Sequence, residues 1–66
     1  MKNTLRIQRA IKEITQQELA DALNVARQTI NAIEIRRYMP STKLAMKIAR
    51  YFNKPVEEVF ILEEDD

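Results

Sequence analysis

The chain has 66 residues, 45% apolar and 32% charged, with no cysteine, histidine or glycine and a formal charge of +1. That composition excludes disulfides, thiolate or imidazole metal sites, catalytic triads, cysteine nucleophiles and glycine-rich phosphate loops, so no metal, no cofactor and no enzymatic activity are expected. No apolar run approaches the roughly 20 residues of a membrane span and the first six residues lack the apolar stretch of a signal peptide, which points to one small cytoplasmic domain over residues 1–66.

The first predicted helix runs from about Asn3 to Glu13. Ile7, Ala10, Ile11 and Ile14 fall at i, i+3, i+4 and i+7, a helical stripe opposite Arg6, Arg9 and Lys12. Thr15, with Glu18 three residues on, has the pattern of a capping box, and Leu19, Ala20 and Leu23 supply the buried face of a very short second helix. Asn24 tolerates positive φ, so Asn24-Val25-Ala26 is predicted to be a tight joint with Val25 dropped into the core.

From Arg27 to Glu34 only Ile30 and Ile33 are suited to a buried stripe, which leaves a third helix whose surface is mostly polar groups without partners. A basic loop, Ile35 to Pro40, follows. Ser41 is a natural N-cap for a helix from Thr42 to Phe52 with Leu44, Ala45, Ile48 and Phe52 inward, and Asn53 can close it. Pro55 suits the first turn of a last short helix with Val56, Val59 and Phe60 inward, and Ile61-Leu62 extend it as an apolar tip before the acidic tail, residues 63–66.

Near-neutrality conceals two regions. Residues 1–54 hold all eleven basic residues against four acidic ones, a charge of +7, whereas residues 55–66 hold six acidic residues and no basic one. A basic body with an acidic tail fits nucleic-acid binding by the body, although a solvated helical surface with a solubilising tail would carry the same pattern. The adjacent carboxylates Glu57/Glu58 and Glu63/Glu64 do not face each other on a helix and imply no acid–base pair.

Two short helices joined by a three-residue turn form a helix-turn-helix pattern over residues 16–34, Gln16-Gln17-Glu18-Leu19-Ala20-Asp21-Ala22-Leu23-Asn24-Val25-Ala26-Arg27-Gln28-Thr29-Ile30-Asn31-Ala32-Ile33-Glu34. This stretch closely resembles the motif of the Cro/CI-type (XRE) family of phage and bacterial regulators, and the resemblance extends from Leu5 to about Phe60. It implies an all-α, five-helix, lambda-repressor-like domain that binds double-stranded operator DNA with its third helix in the major groove, most simply as a repressor. Gln16 and Gln17 would then hold phosphate, and Arg27, Gln28, Thr29, Asn31 and Ala32 would face base edges. Arg grips guanine and Gln grips adenine bidentately, each good pair giving about 1–3 kcal/mol of discrimination. Arg36, Arg37 and Tyr38 in the basic loop, with Lys43 beyond it, would be further phosphate contacts. Arg9 and Glu34 match a pair that bridges the first and third helices in the family.

The chain departs from the family at several points. Relatives commonly carry Gly at the positions of Glu13, Asn24, Arg36 and Asn53; positive φ at Glu13 or Arg36 would store strain of about 1 kcal/mol or more. The usual Ser or Thr N-cap of the recognition helix is Ala26, which forfeits about 1 kcal/mol of capping. Ile7 and Ile11 are more apolar than expected, so either the first helix is rotated or they meet something outside the monomer. Regulators of this type bind two-fold operators as dimers. A homodimer interface from Val56, Phe60, Ile61 and Leu62 is expected, with a small strand pairing of Met1 to Thr4 beside the tail and the acidic residues pointing away from DNA. The alternative is an antitoxin or protein-interaction module whose protein partner is unidentified and whose DNA binding is secondary.

Overall fold

A computed structural model describes all residues 1–66, in the order β1 (Lys2–Asn3), α1 (Leu5–Lys12), α2 (Gln16–Leu23), α3 (Arg27–Glu34), α4 (Thr42–Tyr51), α5 (Val56–Val59) and β2 (Phe60–Ile61). The five helices surround a core of eleven apolar residues, with Leu5, Leu19, Ile30, Ile33, Ile48 and Val59 its largest fully buried side chains. Val25, in the joint between α2 and α3, packs against this core as expected. No helix is long and apolar enough to cross a membrane.

The helix starts follow from local chemistry. The capping box at α2 is complete: Glu18 N–H donates to Thr15 Oγ1 at 3.0 Å and Thr15 N–H donates to Glu18 Oε1 at 2.9 Å. Ser41 caps α4 by accepting from Leu44 N–H at 3.1 Å. Ala26 stands at the N-cap of α3 with no side-chain cap; Thr29 N–H donates to Ala26 O at 3.0 Å, and the Arg27 and Gln28 N–H groups are left without a partner in the chain. The absent glycines are not compensated by different loops: Glu13, Asn24, Arg36 and Asn53 all adopt left-handed backbone, with φ of 56°, 57°, 66° and 55°.

Four expectations are corrected. Helix α1 begins at Leu5 rather than Asn3, because Asn3 is drawn into an antiparallel pairing of β1 with β2, in register Lys2↔Ile61 and Asn3↔Phe60. Its apolar stripe faces outward: Ile7 is 59% and Ile11 70% exposed, whereas Leu5 is fully buried and Gln8 and Arg9 turn partly inward. Pro55 is the N-cap of α5 in extended backbone instead of lying in its first turn. Phe60, expected both inward and at a dimer interface, is 8% exposed and belongs to the monomer's own core, on β2 rather than on the last helix.

The small sheet does more than join the chain ends. Thr4 N–H donates to Val59 O at 2.8 Å and Thr4 Oγ1 to Glu58 O at 2.8 Å, holding the start of α1 against α5. The Asn3 amide donates to Ile33 O at 2.9 Å, while its Oδ1 accepts from Leu5 N–H. One side chain therefore fastens the C-terminal end of α3 and the first turn of α1.

Candidate nucleic-acid interface

Helix α3 is buried through Ile30 and Ile33 alone, which leaves Arg27, Gln28 and Asn31 exposed and Thr29 and Ala32 half-buried. Gln16, at the first position of α2, lies beside them. Gln16, Arg27, Gln28 and Asn31 together line one shallow hollow of about 310 Å³. An Arg and three amides converging on an open hollow offer donors and acceptors matched to base edges and phosphate oxygens. The unpaired N–H groups at the start of α3 add a partial positive charge there.

A buried ionic cluster supports this face from beneath. The Glu34 side chain is 1% exposed, and Arg9, 15% exposed, donates to it twice: Nε to Oε2 at 2.6 Å and a terminal nitrogen to Oε1 at 3.0 Å. Arg9 also donates to Ile14 O at 3.1 Å. The Gln16 amide donates to Glu34 Oε1 at 3.0 Å and to Asn31 Oδ1 at 3.2 Å, and Arg6 approaches the same carboxylate at 3.7 Å. Burial opposes the charge of Glu34, but hydrogen bonds from Arg9 and Gln16 with the positive charges of Arg9 and Arg6 outweigh it, so its carboxyl lies below the ordinary value of 4.5.

The remaining candidates lie elsewhere. Gln17 donates to Asp21 Oδ1 at 2.8 Å along the exposed side of α2. After α3 the loop folds back, with Arg36 N–H bonded to Ile33 O and the N–H groups of Arg37 and Tyr38 both bonded to Ala32 O. Arg36, Arg37 and Tyr38 border a second hollow of about 300 Å³ that also takes Met1, Lys2 and Phe60. Lys43 lies on the exposed face of α4 with Lys47 and Arg50. Ile61 and Leu62 are exposed, and Val56 is half-buried against the core.

The acidic tail folds back onto the chain's own start and onto the basic loop. Glu63 accepts from the Arg36 guanidinium and from the Met1 ammonium, and Asp66 also pairs with that ammonium at 3.0 Å. Hydrogen bonds to Asp66 and Glu63 hold the Met1 ammonium above its ordinary value of 8.0. Sequence reasoning missed this tie on a candidate phosphate ligand, and it missed the Asn3 fastening, since neither partner is near in sequence.

Comparison with known proteins agrees with this geometry. A helix-turn-helix family model matches residues 5–59. The chain is 52% identical over 66 residues to an uncharacterized HTH-type transcriptional regulator of Methanocaldococcus jannaschii, each chain covered in full. It is 44% identical to one from Archaeoglobus fulgidus, covering all of this chain and 93% of that one, and 42% identical to YgzD of Bacillus subtilis, covering both in full. The chain therefore belongs to the Cro/CI-type (XRE) helix-turn-helix family of DNA-binding transcriptional regulators.

Proposed function

We propose that this protein is a sequence-specific, cytoplasmic repressor that binds a two-fold operator as a homodimer, each α3 entering the major groove. The observation that carries the proposal is the convergence of Gln16, Arg27, Gln28 and Asn31 on one exposed hollow. In this arrangement Arg27 and Gln28 read base edges from the start of α3, Asn31 and Thr29 extend the contact, and Ala32 presents a methyl group. Gln16 and the basic loop hold phosphate on either side. With Phe60 and most of Val56 committed to the core, Ile61 and Leu62 are left as the apolar contacts between protomers.

The test is electrophoretic mobility of the protein's own upstream DNA fragment across a salt series. A steep fall in affinity with salt is expected, with Arg27→Ala and Gln28→Ala each losing about 1–3 kcal/mol of discrimination at one base pair. Unchanged affinity in both variants would overturn the assignment of α3. The exposed Ile7–Ile11 ridge favours a second reading in which a protein partner docks on α1. Loss of complex formation with co-purifying protein on Ile11→Glu, without change in DNA binding, is the result that would support it.

A further inference from the structure

The two-residue sheet is covered on one side only. In the register Lys2↔Ile61 and Asn3↔Phe60, Asn3 and Phe60 turn inward while Lys2 and Ile61 share the outer face, since residues opposite each other across antiparallel strands project to the same side. Ile61 is 39% exposed and Leu62, the next residue, 75%. Lys2 and Leu62 line one shallow hollow with Glu63, Glu64 and Asp65. Glu63 is taken by Arg36, but Lys2, Glu64 and Asp65 enter no ion pair, although all three border the same hollow.

The charges at this tip choose its occupant. Three acidic residues beside the apolar pair repel a polyanion, so neither the operator nor any other duplex fits here. A second copy of the chain does fit, because a two-fold contact sets a patch against itself, residue i meeting j where j meets i. Such a contact needs both signs of charge around its apolar centre, and the other exposed apolar side chains lack them. Ile7 and Ile11 lie on α1 with Arg6, Arg9 and Lys12 and no acidic residue, while Ile35, Tyr38, Met39 and Met46 lie within residues 35–56, which hold six basic residues and no acidic one. Two copies apposed on either of those surfaces would bring like charges together.

We propose that the outer face of the sheet receives a second copy of the chain about a two-fold axis, with Ile61 and Leu62 packed on their counterparts and Lys2 of each protomer bonded to Glu64 and Asp65 of the other. The inference rests on the homodimer reading above and adds to it the reciprocal ionic contacts, which fix how the two copies are turned. Ile61 and Leu62 supply the apolar centre, whereas the charges at the rim set orientation and reject other partners. The contact shares no residue with the hollow on α3, so both copies keep their reading residues free.

Dimerisation of the full-length protein is measured by sedimentation equilibrium at low salt, with native mass spectrometry to tell mixed from unmixed dimers. Lys2→Glu alone and Glu64→Lys/Asp65→Lys alone each set like charges against each other at both ends of the contact, and each should weaken the dimer at least tenfold. An equimolar mixture of the two should form a mixed dimer within about threefold of wild-type strength, because every reversed charge then faces its opposite, and raising the salt should shrink these differences. A variant that merely misfolds is not rescued in this way. Weakened variants with no rescue on mixing would place the partners of these charges within one chain and overturn the proposal, as would dimers of wild-type strength in both variants. A monomeric wild type would instead remove the homodimer reading together with it.

Discussion

Gln16 and Arg9 share one carboxylate oxygen: Oε1 of Glu34 accepts from both, each at 3.0 Å. A candidate phosphate ligand at the surface is thus held by the same acid that joins α1 to α3. Removing Arg9 takes two charge-assisted hydrogen bonds from the buried Glu34 carboxylate and leaves it the Gln16 amide and the exposed Arg6 guanidinium at 3.7 Å, a change that costs about 1.5–3 kcal/mol. Arg9→Ala should lose about that much in urea or guanidinium unfolding, against about 0.5 kcal/mol for an exposed substitution such as Lys12→Ala. A loss within the surface range would contradict the role given to the pair.

Glu34 also sets a pH dependence. Its carboxyl is lower in the folded protein than in the unfolded chain, so its stabilisation is fully present above the ordinary value of about 4.5 and is lost as pH falls through the lower, folded value. Midpoints of unfolding measured between pH 7 and 2 should therefore decline in the acid range. In Glu34→Gln, where the residue carries no proton to gain, the decline should be shallower from a lower starting stability.

The left-handed backbone at Glu13 and Asn53 gives a paired comparison, since Glu pays a steric cost there that Asn largely avoids. Glu13→Gly should raise stability by about 0.5–1 kcal/mol after the greater freedom of glycine in the unfolded chain is deducted, a melting shift of a few degrees. Asn53→Gly should change it little. Equal shifts would show that backbone strain is not the cause.

Arg36 is expected to grip phosphate but is paired with Glu63. Glu63→Gln should release it, strengthening binding of the upstream fragment and steepening the salt dependence by up to about one unit of slope. Arg36→Ala should erase that gain in the double variant. An exposed pair of this kind contributes little to folding, so melting should stay within about 1 kcal/mol in all three.

Leu62 is 75% exposed, and no group in the monomer depends on it. Leu62→Glu should shift the protein from dimer to monomer in sedimentation equilibrium at micromolar concentration while the far-ultraviolet spectrum stays unchanged. A wild-type mass already monomeric would remove the dimer from the proposal.

Where the chain's own local chemistry decides, the sequence was a sufficient guide. Thr15, Glu18 and Ser41 mark helix starts through bonds three residues long, and the narrow stripe of Ile30 and Ile33 left the α3 surface polar as expected. The face of α1 was misread because hydrophobic periodicity treats Arg9 as a surface residue. Its charge is neutralised by Glu34, 25 positions away, and that pairing turns Ile7 and Ile11 outward. Phe60 is inward as the apolar pattern predicts, but its place on β2 rather than on the last helix depends on β1 coming back to pair with it. The tail was assigned by charge sign alone, and the Arg36 and Met1 partners lie at the far side of the chain order.

The Asn3 amide on Ile33 O makes the two-residue strand a strut between the recognition helix and the edge that carries Ile61. If protomers meet at that edge, the separation of their two reading helices is set by the β1–β2 backbone pairing and by the single Asn3 side-chain bond to Ile33 O, whose rotamer is pinned at its other end by Leu5 N–H. The molecule would then act as a rigid gauge of half-site spacing, tolerating base changes within a half-site better than a base pair inserted between them. Deleting one residue from Lys2–Thr4 would reverse the side of the strand from which Asn3 projects, and would miscalibrate that gauge without touching a single DNA-facing residue.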